Sequence, residues 1–142
     1  MASANFRNLA RALAKGDIDF DVMTCKVLLV SSVPSESNLD TWANRSDVTN
    51  EITGTGYTAG GIAQAFTLDA FDTTNNRQPI TYTDNLTAWT TATITALGAI
   101  IYKNSGTAST DTLLHFVDFG GSMSVTAGTF GLDYTSPFYI NA

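Results

Sequence analysis

The chain has 142 residues, enough for one domain with a real core and short for two; its charged fraction of 14% is low, its apolar fraction of 44% ordinary, and Thr, Ser, Asn and Gly fill the difference. Seven basic against thirteen acidic residues, a net charge of −6 and a pI near 4.3 argue against a nucleic-acid-binding face, which needs clustered Lys and Arg. A single cysteine, Cys25, excludes an intrachain disulfide and a four-cysteine zinc site.

No segment approaches the roughly 18 apolar residues of a membrane span, and the opening residues lack the succession of a signal peptide, so synthesis in a cytoplasm is expected. The acceptor patterns at Asn44-Arg45-Ser46 and Asn85-Leu86-Thr87 therefore carry no glycan in this reading.

At the start, Ser3 is placed as an N-cap. Phe6, Leu9, Ala10 and Leu13 follow at the spacing of one helix face, and Gly16 is placed to stop it. The other face carries Arg7, Arg11 and Lys15 at steps of four. Residues 1–16 are thus expected to be a helical arm. Against the plainer reading of a solvated polar face, its apolar stripe is expected to dock on a neighbouring subunit while Arg7 and Arg11 meet carboxylates. The Ala-rich stripe is too short and weak for a membrane surface.

The rest, residues 17–142, reads as a β-sandwich. A strand is expected from about Asp21 to before Pro34, with Ile18 and Phe20 facing inward and Cys25 buried as a small hydrophobe. Asp17, Asp19 and Asp21 alternate, but the loop glycine and distal Glu of a calcium loop are missing, so no metal is assigned. Residues 34–61 have few apolar anchors. This long loop is expected to be a functional surface loop or one ordered by an oligomer contact, with one helical turn within 37–44 pinned by Leu39 and Trp42. Gly54, Gly56, Gly60 and Gly61 are turn glycines without the Lys and hydroxyl of a phosphate loop.

Alternation resumes over 62–71, turns at 72–76 and returns over 77–83, where Pro79 confines the strand to an edge or its own start. After Asp84-Asn85 comes the centre of the sequence, residues 89–104. Ala92, Ile94 and Ala96 alternate with Thr91, Thr93 and Thr95, and residues 98–102 are then apolar on both faces, as a strand buried from both sides must be. Trp89 is expected in the core. Residues 111–119 are the antiparallel return, Gly120-Gly121 and Ala127-Gly128 are read as turns, and a short last strand over 138–140 follows Pro137.

Reactive chemistry is not visible. His115 is the only histidine and sits at a strand position; Glu36, Asp40, Asp47 and Glu51 read as solvated loop charges rather than a carboxylate pair. No catalytic, cofactor or metal residue is assigned, and an enzyme is not expected.

Several stretches carry a resemblance: residues 8–16 with the acidic segment after them, Pro34-Ser35-Glu36-Ser37 with Leu39-Asp40, Asp47-Val48-Thr49-Asn50-Glu51 leading into residues 54–61, residues 89–103, and Phe116-Val117-Asp118-Phe119-Gly120. In these the chain resembles a family of small tailed-bacteriophage virion proteins. The resemblance spans most of the chain, implies a non-enzymatic capsid decoration, or cement, protein bound to the major capsid protein or other virion subunits, and transfers no catalytic residue. From the residues themselves, strands at about 8–12-residue spacing predict an antiparallel sandwich or jelly-roll-like barrel, and the poorly anchored stretch 34–61 predicts a homo-oligomer, a trimer. The alternative is a tail-associated receptor- or carbohydrate-binding sandwich, in which Trp42, Tyr57 and Tyr82 would form an exposed stacking platform. Phe6, Arg7, Leu9, Arg11, Leu13, Trp42 and Tyr57 are the expected partner-binding residues.

Overall fold

The computed structural model describes residues 2–141. Its elements in chain order are β1 (Ala4–Asn5), α1 (Asn8–Lys15), β2 (Cys25–Val30), α2 (Glu36–Thr41), a 3-10 turn at Arg45–Asp47, β3 (Ile62–Gln64), β4 (Phe66–Leu68), β5 (Arg77–Tyr82), β6 (Asn85–Lys103), β7 (Leu113–Leu132) and β8 (Phe138–Asn141). They build two antiparallel sheets, of five strands in the order β1-β7-β6-β2-β3 and of three in the order β4-β5-β8. The expected all-β, sandwich-like fold is the fold observed.

The centre of β6 explains the layering. Ala92, Ile94, Ala96, Ala99 and Ile101 face a core between the sheets, with Val27, Leu29 and Leu114 from the large sheet and Ile80, Tyr82 and Phe138 from the small one. Ile100 and Tyr102 face the opposite way, into a second core with Phe6, Leu28, Val30, Leu39, Leu113 and Phe116. Even positions before residue 97 and odd ones after it thus reach the same core. That change of parity needs an irregularity, and the pairing of β6 with β7 breaks register between Ala96 and Gly98. At this point residues 119–122 of β7 stand against Leu97 alone.

The predicted turns at Gly120-Gly121 and Ala127-Gly128 are therefore corrected: both lie inside β7 as bulges. Gly120 and Ala127 take φ of 76° and 47°. Their amides find side-chain acceptors, Asp118 Oδ1 at 2.8 Å and Thr93 Oγ1 at 3.0 Å, so the strand continues past each interruption.

Other departures have equally local causes. β2 begins at Cys25 rather than near Asp21, because the Asp19 carbonyl accepts from Val22 and Met23 and its carboxylate from Asp21, closing a turn. Ile18 is buried and Phe20 packs edge-on against Phe66 at 5.6 Å, as their alternation predicts. Residues 62–71 divide between the sheets: β3 pairs with β2, and β4 pairs with β5. At the corner the buried Gln64 amide donates to the carbonyls of Ala65 and Thr83 and accepts from the Tyr134 hydroxyl. α1 starts at Asn8 with Arg7 as its cap, while Ser3 instead accepts from the Asp118 amide at 2.9 Å. Gly16 ends it at φ 77°.

The long loop is ordered within the chain, which corrects the expectation that an oligomer contact must order it. Ser35 and Asn38 cap α2 reciprocally. Leu39 and Ile52 are buried, and the Ile52 amide donates to Leu29 O at 3.0 Å. Full burial of a Leu side chain is worth roughly 2–3 kcal/mol, so single anchors replace the periodicity that the sequence lacks.

Candidate functional site

The seven expected partner-binding residues do not form one free surface. Phe6 is 1% exposed in the second core and Leu9 3% exposed in the first, with Leu13 half-buried beside it. The apolar stripe of α1 covers its own sheet, and docking of that stripe on a neighbour is corrected accordingly. Arg7 meets carboxylates, but those of α2 in the same chain: Glu36 at 2.9 Å and Asp40 at 3.2 Å. Both pairs are exposed, so each contributes about 1 kcal/mol or less. Arg11 is exposed and has no ion pair among the described residues, and Lys15 pairs with Asp17 at 3.1 Å.

Because the stripe is internal, Leu9→Asp is expected to destabilise the isolated chain by about 3 kcal/mol or more, through lost burial and an unpaired buried charge. Urea denaturation checks this; an unchanged midpoint would put the helix back outside the core.

Trp42 is half-buried against the second core. Tyr57 is half-buried with its ring 5.7 Å from Trp89, and its hydroxyl donates to Glu51 and accepts from the Leu29 amide. Tyr82 is 3% exposed and stacked on Phe138 with ring centroids 5.6 Å apart. The three aromatics are thus structural, and the exposed stacking platform expected of them is corrected. Cys25 is buried, which pushes its thiol up to about 12.

Sequence spacing gave no sign of the polar network that locks the loop. Glu51 accepts from Tyr57 and from the Gly60 amide at 2.6 Å, and Tyr102 donates to Gly60 O at 2.5 Å. The Arg45 guanidinium lies 5.5 Å from the Tyr102 ring and donates through Nε to Asp111 at 2.8 Å. The buried Asp111 carboxylate also accepts from the Ser105 amide and hydroxyl.

A cleft of about 790 Å³ lies between β7 and β8, walled by Val117, Phe119, Phe130, Tyr134 and Phe138. His115 lies in its wall. Asn5 donates to Tyr139 O, which turns its Oδ1 toward His115 Nδ1 at 2.7 Å. Nδ1 therefore carries the proton and Nε2 is the acceptor. Burial pushes this imidazole down to about 4, so it is neutral at pH 7.

The second feature is the outer face of the β6–β7 pair. Thr91, Thr93, Thr95, Ser124 and Thr126 are exposed on it, with Thr95 and Ser124 hydroxyls 2.8 Å apart. Neither residues 85–102 nor residues 119–132 include a charged side chain. Comparison with known protein families, with curated proteins and with solved structures finds no match to this chain.

Proposed function

We propose that the protein is a non-enzymatic bacteriophage virion structural protein, a capsid decoration protein that binds the head shell through the outer face of the β6–β7 pair. The observation that carries this reading is the hydroxyl-rich character of that exposed face, on which the β6–β7 pair itself carries no charge and the neighbouring carboxylate, Glu51, is held by Tyr57 and the Gly60 amide. Surfaces of small domains are ordinarily about 25–35% charged, whereas the centres of interfaces are depleted of charge because stripping water from an ion is costly. A neighbour can cover Thr93, Thr95 and Ser124 without that cost. The resemblance described above supplies the virion context, and the major capsid protein or another virion subunit is the proposed partner. The expected trimer loses its motivation, since the long loop needs no partner to order it. The tail-associated alternative loses support because its aromatic platform is built into the cores.

Locating the protein in intact particles by cryo-electron microscopy tests the assignment. Thr95→Lys with Thr126→Lys is expected to reduce particle occupancy at least tenfold while changing stability by about 1 kcal/mol or less, since what is lost is the exposed hydrogen bond between the Thr95 and Ser124 hydroxyls. Wild-type occupancy of this double variant would remove the face from the proposal, and absence of the protein from purified particles would remove the proposal itself.

A further inference from the structure

His115 is bonded on one side of its ring only. Nδ1 meets Asn5, whereas Nε2 has no hydrogen bond among the described residues. The polar side-chain atoms there that are sealed from solvent without a partner are Asn50 Oδ1, the Tyr82 hydroxyl and Trp89 Nε1, and His115 Nε2 is not among them. Nε2 therefore opens into the cleft between β7 and β8, whose wall His115 helps to form.

This acceptor is held in place before any ligand arrives. Asn5, itself tied to Tyr139 O, fixes the tautomer and the ring orientation, and burial keeps the ring neutral at pH 7. The Phe138 ring lies 5.0 Å from the imidazole, Tyr82 stacks on Phe138, and Tyr134 lies 5.6 Å from Tyr82. Small-molecule sites are preformed clefts of roughly 300–1,000 Å³ with apolar walls and a few fixed polar groups, and this cleft of about 790 Å³ has that character. No Lys or Arg lines it, so an anion would find no counter-charge, and the apolar wall favours an uncharged ring over an ion. A ring bearing one N–H or O–H suits both the aromatic wall and Nε2.

We infer that the cleft is a binding site for a neutral aromatic small molecule, whose ring lies against the aromatic wall and whose N–H or O–H donates to His115 Nε2. Ser124 and Val125 border both the cleft and the face assigned to the shell, so the two adjoin. His115, however, stands opposite Ile101 and Ser124 opposite Thr95, which separates the acceptor from that border by about 20 Å along the strand. The site goes beyond the virion reading and needs no part of it.

The test uses the full chain, isotopically labelled in the imidazole of its single histidine. Indole is the probe, N-methylindole the same ring without its donor, and indoleacetate the anionic form. In the free protein Nε2 should be the unprotonated nitrogen at pH 7. Indole is expected to move the Nε2 resonance saturably toward that of a hydrogen-bonded nitrogen. It should bind at least threefold tighter than N-methylindole, the worth of one hydrogen bond, and at least tenfold tighter than indoleacetate. His115→Phe keeps a ring beside Phe138 and removes the acceptor, so indole and N-methylindole should bind that variant equally. An Nε2 resonance unmoved at the solubility limit of indole would mean that the acceptor serves water only, and would overturn the inference. Equal binding of indole and N-methylindole by the parent, tighter binding of indoleacetate, or a preference for indole kept by His115→Phe would each overturn it too. If the variant fails to fold, the three probes on the parent decide the matter alone. Particle occupancy plays no part in these readouts, so failure here and failure of the virion assignment are distinguishable.

Discussion

Gly98→Ala is expected to destabilise the protein by about 3 kcal/mol, at the upper end of the usual cost of overpacking a core. Gly98 pairs with Val30 of β2 on one side and Asp118 of β7 on the other. A Cβ added there would lie 2.5 Å from a carbon of the Phe116 ring and 2.7 Å from Val117 O. Neither can yield cheaply: the ring is fully buried in the second core with Leu28, Ile100 and Leu113, and the oxygen belongs to the adjoining strand. A fall in melting temperature of roughly 10 °C corresponds to that loss in a chain of this size. Gly121→Ala is the control, since nothing lies within 4 Å of the added carbon, and it should melt like the parent. If both variants melted alike, the second core would not be close-packed under Gly98.

Asp111→Asn is expected to cost about 3 kcal/mol at pH 7, because it leaves the partners of a buried charge without that charge. Burial acts to raise the pKa of Asp111, but hydrogen bonds from Arg45 and from the Ser105 amide and hydroxyl outweigh it, so the carboxyl lies below its ordinary value. The sign follows from the depressed folded pKa: the stabilisation is complete above the unfolded value, about 3.9, and is lost as pH falls through the folded one. Denaturation curves measured from pH 7 down to pH 2 should show the parent losing this increment on the acid side. The Asn variant should start lower and lose less there. Parallel acid limbs in the two proteins would mean that Asp111 contributes nothing through its ionisation.

How much of this was legible depends on whether a feature is written in local periodicity. The two-sided burial of residues 98–102 was, because an apolar run of five leaves a strand no solvent face; so was α1, from the spacing of Leu9 and Leu13 and the stop at Gly16. Which surface that stripe would cover was not, since the same spacing serves a helix docked on its own sheet or on a neighbour. Gly120-Gly121 and Ala127-Gly128 carry the composition of turns, and only the cross-strand register reveals them as bulges. In the loop from 34 to 61 Leu39 and Trp42 were legible as anchors, whereas Ile52 and Tyr57 were not, because each acts singly. Arg45 and Asp111 are separated by 66 positions, which no spacing rule relates. The cleft was invisible for a similar reason: its walls come from β7 and β8, and an edge without a partner is a property of the sheet rather than of the strand.

The pairing of β1 with residues 115–116 sets an order of events during biosynthesis. Phe6 and Leu9 are covered by cores to which β6 and β7 contribute, so the first helix has nowhere to go until residues more than 100 positions later have left the ribosome. At about 5–20 residues per second that interval is roughly 5–20 s. The nascent chain therefore carries an uncovered apolar stripe throughout most of its own synthesis, and closing so long a loop is slow compared with forming the β6–β7 pair. The amino-terminal segment is the last part of the large sheet to be secured and the part on which a chaperone would act first.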